Sequence, residues 1–481
     1  MTTLATLGVI LGNRDFFPDV LITEARRELT KLFAELSIEP VWLSTEATKL
    51  GAVETWTDAQ QCGDLFRDNA DKLDGVLICL PNFGDEKAAA DSLRLGKVTV
   101  PVLIQACPDD LDQFGLDRRR DAFCGKISVA NNLRQYGIPY SLTRDHTVKI
   151  SNPRFREDLV SFVSTCKVVR GLRGARIGAV GARPNAFNTT RYSEKLLEAS
   201  GISVNTIDLS EVLGNAGRIA DADPRVRERV DSIRAYADAS TVPVEALVKM
   251  AKFALVVDDW MQSLSITATA LQCWNSLQQN YGVNVCTIMS MMSQQSLPSA
   301  CEVDIAGVIG MYALQLASNS PSALVDWNNN YADDPDKCVL FHCGNWAKDF
   351  TSEIRIATAP ILGTTLGEEN TYGAMEGRTP AGPLTFGRVS TDDLNGKILA
   401  YVGEGQFTDD PLNTFGMKAV VDVPNLPALM HVICQNGFEH HMAMSRSLSG
   451  APVAEAFSRY LGWTTYHHNR PAGLAPLPKT I

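Results

Sequence analysis

Short apolar runs alternate with amphipathic stretches from the start of the chain. Leu4–Leu11 is a continuous apolar run that stops at Gly12-Asn13, the pattern of a strand buried on both faces. A helical stretch (Asp19–Leu36) and a short run (Pro40–Leu43) follow, and the alternation continues through Asp58–Asn69, Gly75–Leu80, Glu86–Arg94 and Val98–Gln105. Strands and helices alternating at this spacing predict parallel βαβ units and a first domain over residues 1–165. The pattern restarts at Arg173–Gly181 and Ile202–Asp208, with helices at Arg225–Ala237 and Pro243–Asp258. Apolar runs at Ser265–Ala270 and Val283–Ser290 read as further strands, giving a second α/β domain over residues 166–345. From residue 346 Gly, Pro and Thr become frequent, and runs such as Lys397–Val402 and Lys418–Val423 alternate with turn signals. That predicts a β-rich domain over residues 346–481, with a helix at His440–Ser449 and an extended tail in RPAGLAPLPKTI. The expected fold class is therefore α/β: two Rossmann-like parallel-sheet domains followed by a β-rich, barrel-like C-terminal domain.

Composition narrows the function. A chain of 481 residues exceeds one ordinary core, and 45% hydrophobic with 21% charged residues is ordinary for a globular protein. A formal charge of −11 disfavours nucleic-acid and anionic-membrane partners, which call for clustered Lys and Arg, and leaves a small polar ligand. The eleven cysteines include no CxxC pair, and several lie in apolar runs (Cys79, Cys434), as in a reducing cytoplasm. The N-terminal apolar run is too short for a signal peptide or a membrane span.

Candidate chemistry collects in Ser296–Cys343 and in one later segment. Glu302 stands in Ser-Ala-Cys-Glu at the mouth of an apolar helix, where a capping box competes with a site role. Asp304, two residues on, turns to the far side and reads as capping or solvated. Asp326 closes an apolar run, at a strand end where open α/β sheets bind ligands or where an Asx-turn leaves the strand. His342 ends the next run, and Cys338 and Cys343 fit no common zinc spacing and read as packing residues. Far downstream, Asn436-Gly437-Phe438-Glu439-His440-His441 supplies an imidazole from a helix start, with one histidine binding and the other beside the ligands or facing substrate. Carboxylates with imidazole suit Mn²⁺, Mg²⁺ or Co²⁺ better than a thiolate-preferring metal. Arg14 follows the first strand in a loop suited to binding, and Gly178–Pro184 resembles a phosphate finger only loosely. GxGxxG, P-loop and GxSxG motifs are absent, which disfavours nucleotide cofactors and α/β-hydrolase chemistry.

Five segments in this order, LGNRDFFPD, ACEVDIAG, LVDWNN, LFHCGN and HHMAMS, resemble the L-fucose isomerase and L-arabinose isomerase group of metal-dependent aldose–ketose isomerases. The resemblance spans essentially the full chain. It implies two α/β domains, a β-rich third domain and a site between the second and third. It also implies that Glu302 and Asp326 bind the metal, Mn²⁺ with Mg²⁺ or Co²⁺ as alternatives, and transfer the proton through a cis-enediol. His441 completes the ligands, because Met-Ala-Met-Ser follows it. His342 and His440 are candidates for the metal or for positions beside it, and Asp at 326 resembles the fucose branch, which uses three protein ligands. Arg14, Trp327 and Asn436 are candidate sugar contacts. The resemblance implies a homo-oligomer, hexamer or tetramer, with Arg14 reaching a neighbouring subunit's sugar. The substrate that the resemblance implies is a pentose, a 6-deoxyhexose or a modified hexose. A sulfosugar such as sulfoquinovose is the alternative, for which Arg14 and Arg183 could supply charge; a non-catalytic sugar sensor is the alternative from another class.

Overall fold

The computed structural model describes residues 4–351 and 353–469. The predicted C-terminal tail lies outside the described residues. The chain divides into two compact units, one reaching Arg170 and the other beginning at Gly171.

The first unit holds a parallel sheet of β1 (Ala5–Leu11), β2 (Ile38–Val41), β3 (Gly75–Leu80), β4 (Val102–Ala106) and β5 (Ser141–Leu142), in the order β2-β1-β3-β4-β5. Every residue of β3 is buried, because helices cover both faces of the sheet. Burial extends to a charge: the Lys126 ammonium is enclosed and donates to Thr143 Oγ1 at 2.6 Å and to the His146 carbonyl at 2.8 Å.

The second unit begins with a smaller parallel sheet of β6 (Arg176–Val180), β7 (Ser203–Ile207), β8 (Ala268–Leu271) and β9 (Ser299–Cys301), in the order β7-β6-β8-β9. The chain then passes through the helix Ile305–Ser318, buried nearly all round, into a nine-stranded mixed sheet. Its strands are β10 (Ser322–Tyr331), β11 (Asp334–His342), β12 (Ile354–Ala357), β13 (Ala374–Arg378), β14 (Gly382–Asp392), β15 (Lys397–Thr408), β16 (Met417–Asp422), β17 (His441–Ser445) and β18 (Thr464–His467). Six of them close on themselves in antiparallel pairs, β16-β11-β10-β17-β14-β15 and back to β16, so the barrel-like expectation holds. Closure removes the open edges that a free antiparallel sheet would expose.

Two segment types differ from expectation. Val283–Ser290 was expected as a strand but belongs largely to the helix Cys286–Gln294; a fully buried apolar run has no periodicity to tell the two apart. The helix expected at His440–Ser449 is instead β17, held in the barrel wall by β10 on one side and β14 on the other. The nine-stranded sheet also starts at Ser322, so β10 and β11 belong to it rather than to the parallel sheet before them. No helix among the described residues is long and apolar enough to cross a membrane.

Burial drives the Lys126 pKa from 10.5 down to about 8. The unfolded chain therefore binds the proton more tightly than the folded one, so stability rises with pH between about 8 and 10.5. Below pH 8 the cost approaches about 3 kcal/mol, at 1.36 kcal/mol per pKa unit. Urea midpoints of the wild-type protein and K126M at about pH 8 and about pH 10 should show wild type gaining on the variant as pH rises. Parallel pH dependence in the two proteins would contradict the assignment.

Candidate active site

The site forms where β9 hands the chain to the barrel. Glu302 and Val303 turn the chain between β9 and the next helix with φ of 63° and 54°, a left-handed region that non-glycine residues seldom occupy. That turn delivers Glu302 into the site as a buried residue, not as a capping-box carboxylate at N3. The helix starts at Ile305 and is capped by Asp304, whose Oδ1 accepts from Gly307 N at 2.8 Å. Asp304 is thus the cap, but it is fully buried rather than solvated.

Asp326 on β10 and His441 on β17 are direct cross-strand partners. Paired residues project to the same face of a sheet, so the register sets them side by side. His441 Nε2 lies 3.2 Å from Glu302 Oε2 and 3.4 Å from Asp326 Oδ1. Both of those carboxylate oxygens are buried without a hydrogen-bond partner among the described residues. The second oxygen of Glu302 accepts from Trp274 Nε1 at 3.1 Å. His441, the first residue of β17, is buried, while His440 just before the strand is exposed, its Nε2 3.7 Å from Asp326 Oδ1. His342, buried at the end of β11, brings a ring nitrogen within 4.8 Å of ligand atoms of both Glu302 and His441.

A buried chain of charges stands behind His441. Asp304 Oδ2 is 2.9 Å from His441 Nδ1, which orients the ring so that Nε2 faces Glu302 and Asp326. Arg388 on β14 binds Asp304 through two nitrogens (Nη2 to Oδ1, 3.0 Å) and Glu439 through Nε at 2.9 Å. Ser390 Oγ donates to the other Glu439 oxygen at 2.8 Å. The guanidinium and both carboxylates are buried. Gly307 is required beside them, since a Cβ there would come within 2.5 Å of Asp304 Oδ2 and 2.7 Å of Arg388 Nη1.

Electrostatics follow from this packing. Burial opposes charge on Asp304, but Arg388 and His441 hold its carboxyl well below the usual carboxylate range. Burial likewise opposes charge on His441, yet Asp304 and Glu302 push its pKa up to about 10. Burial, reinforced by the neighbouring His441, lowers the pKa of His440. Four carboxylates (Glu302, Asp304, Asp326, Glu439) face one guanidinium here, an excess of negative charge that a divalent cation would reduce. The two orphaned oxygens and Nε2 form a donor set of hard oxygen and imidazole type that fits such an ion.

The other expected contact residues have these partners within their own units. Trp327 donates its Nε1 to Tyr401 OH at 3.0 Å and meets the edge of Phe386, both buried, so it packs on the barrel side of β10. Asn436 is exposed and its amide bonds the Val432 carbonyl of its own helix at 2.8 Å, touching no site residue among the described contacts. In the first unit, Arg14 donates to the Gly84 carbonyl at 3.0 Å, pairs with Glu86 and lies 4.3 Å over the Phe83 ring. Arg183 bonds the Pro184 carbonyl in its own loop at 3.2 Å. The site instead gains an aromatic wall that the sequence did not suggest: Phe187 meets the rings of Trp274 at 5.1 Å, His440 at 5.7 Å and His441 at 6.2 Å. Arg388 did carry a signal, being a charge inside the strand pattern LTFGRVS.

Comparison with known proteins agrees with this architecture. Residues 8–173 match the fucose/sulfoquinovose isomerase N-terminal domain, and residues 340–468 match the L-fucose isomerase C-terminal domain. A sulfoquinovose isomerase of Priestia aryabhattai is 23% identical over 431 residues, 87% of this chain and 91% of the relative. Those of Alkalicoccus urumqiensis and of Clostridium sp. are 23% and 24% identical, over 82% and 76% of this chain and 86% and 81% of their own. Fold, donor set and matches together define an enzyme that interconverts aldose and ketose sugars. The chain belongs to the fucose/sulfoquinovose isomerase family, which is metal-dependent.

Asp304→Asn keeps a capping side chain but removes the charge that orients His441. On the ligand set proposed below, titration of the metal-free variant with Mn²⁺ should show affinity weakened by about 10–100-fold, the usual effect of losing a ligand's supporting carboxylate. Wild-type affinity in a folded variant would contradict the role given to Asp304.

Proposed function

We propose that Glu302, Asp326 and His441 hold a divalent cation, Mn²⁺ with Mg²⁺ or Co²⁺ as alternatives, and that Glu302 and Asp326 are also the acid–base pair. The observation that carries this is the convergence of two buried, partnerless carboxylate oxygens on His441 Nε2. When bound, the cation polarises the sugar's carbonyl and offsets the negative charge that develops as the C2 proton leaves. One carboxylate takes that proton while its neighbour protonates O1, giving a cis-enediol. In the second half the neighbour takes back the O2 hydroxyl proton, and the first carboxylate delivers its proton to C1. Trp274 fixes one Glu302 oxygen, so the other stays directed into the site. Phe187 and Trp274 form an apolar wall that restricts water around the proton in transfer.

For the substrate, the relatives' names favour a 6-sulfonated hexose of the sulfoquinovose type. The C-terminal match favours the second reading, a 6-deoxyhexose or pentose of the L-fucose or L-arabinose type. We read the protein as cytoplasmic, supported by its free cysteines, and as a homo-oligomer, hexamer or tetramer, in which Arg14 serves a neighbour's site.

Isomerisation assays with sulfoquinovose, L-fucose, D-arabinose and L-arabinose, with and without EDTA and added Mn²⁺, separate these readings. We expect turnover of one class, lost in EDTA and restored by Mn²⁺; no metal-dependent turnover of any sugar would sink the reading. Glu302→Gln retains an oxygen for Trp274 but cannot carry the proton. It should lower turnover by at least about 10²-fold and abolish solvent-deuterium incorporation into product, with circular dichroism unchanged. Near-normal exchange would remove Glu302 from the acid–base pair.

A further inference from the structure

Three cysteines from three elements meet beside this site. Cys286 opens the helix Cys286–Gln294, Cys301 ends β9 and Cys343 follows β11. Cys343 Sγ lies 3.3 Å from Cys286 Sγ and 3.8 Å from Cys301 Sγ, and all three sulfurs are within 4.8 Å of one another. None is in a disulfide. Met289 adds a thioether sulfur 3.9 Å from Cys301 Sγ.

Packing alone accounts for a buried cysteine, which behaves as a small hydrophobe. It does not account for three sulfur atoms turned toward a common point. A tetrahedral ion with metal–sulfur bonds of about 2.3 Å holds its sulfurs about 3.8 Å apart. The Cys301–Cys343 pair already has that spacing. Cys286 and Cys301 are buried and Cys343 is half-buried. His342 Nδ1, 3.3 Å from Cys343 Sγ, places a ring nitrogen where an N–H can support a thiolate.

We propose that Cys286, Cys301 and Cys343 form a second cation site, a three-thiolate cradle for a thiophilic divalent d¹⁰ ion of the zinc or cadmium class. Binding forms three metal–sulfur bonds, releases three thiol protons and leaves the cluster with one net negative charge. Thiolate donors select a softer ion than the carboxylate and imidazole donors next door. The two sites are covalently adjacent, since Cys301 precedes Glu302 and Cys343 follows His342. Drawing the sulfurs around an ion shifts both segments, so on the isomerase reading above an occupied cradle inhibits turnover.

The test uses full-length protein stripped with EDTA and reduced with a phosphine, titrated with Cd²⁺. We expect sulfur-to-cadmium charge-transfer absorption in the ultraviolet that saturates at one equivalent per chain. The absorption should be lost in C286S and C286A, with folding checked by circular dichroism, and kept in C62S, whose thiol is buried in the first unit. No absorption through one equivalent, or undiminished absorption in a folded Cys286 variant, would overturn the site. With Mn²⁺-loaded enzyme, Cd²⁺ should inhibit wild type at least tenfold more potently than C286S; equal potency would overturn the coupling. The ultraviolet measurement needs no sugar, so failure of the isomerase reading cannot be mistaken for failure of the cradle.

Discussion

The ion pair between Asp304 and Arg388 is the constraint on which the second unit depends. Asp304 stands at the turn after the parallel sheet, and Arg388 sits in the barrel wall, 84 residues later. Breaking such a pair leaves a buried charge uncompensated, at roughly 3–5 kcal/mol, although the intact pair adds little over an apolar replacement. Its value is therefore positional. The pair holds the start of the helix Ile305–Ser318 at a set height on β14 and β17, and so fixes where Glu302 meets His441.

Two backbone devices complete the placement. The β10–β17 register pairs Asp326 with His441, and a slip of one residue would turn His441 away and bring His440 or Met442 in. On the opposite side, two consecutive residues with positive φ carry Glu302 into the site. Strain of this kind persists where surrounding contacts over-determine it. Here the Trp274 bond and the Asp304 cap hold the turn from either side.

The strands of the first unit were legible because β1 and β3 are apolar runs bounded by turn residues, with helical periodicity between them. As candidates, Asp326 was legible as a carboxylate ending an apolar run, Glu302 as one at the mouth of an apolar helix and His441 as an imidazole among apolar neighbours, and the resemblance joined them across more than a hundred residues. What escaped depends on contacts between distant segments. Val283–Ser290 and His440–Ser449 are apolar enough that only their neighbours decide helix or strand. The spacing of Asp304 from Glu302 suggested a capping or solvated residue; it is the cap, but the far side of that turn is occupied by Arg388 rather than by solvent. Cys343 was read beside Cys338, which is near in sequence, whereas its sulfur neighbours arrive from Cys286 and Cys301.

On the proposed ligand set, a proton and a cation compete at His441. Asp304 and Glu302 stabilise positive charge at this ring, and without a metal ion they do so by raising its pKa to about 10. A bound cation needs Nε2 as a lone pair and supplies the positive charge itself. The carboxylates therefore serve either occupant, and binding the ion displaces the proton. Nδ1 is not part of this exchange. It stays with Asp304, whose charge Arg388 holds in place, so the ring keeps its orientation whichever occupant is present. Fixed donors of this kind reduce the reorganisation needed on loading, which is the physical return for burying a guanidinium behind Asp304.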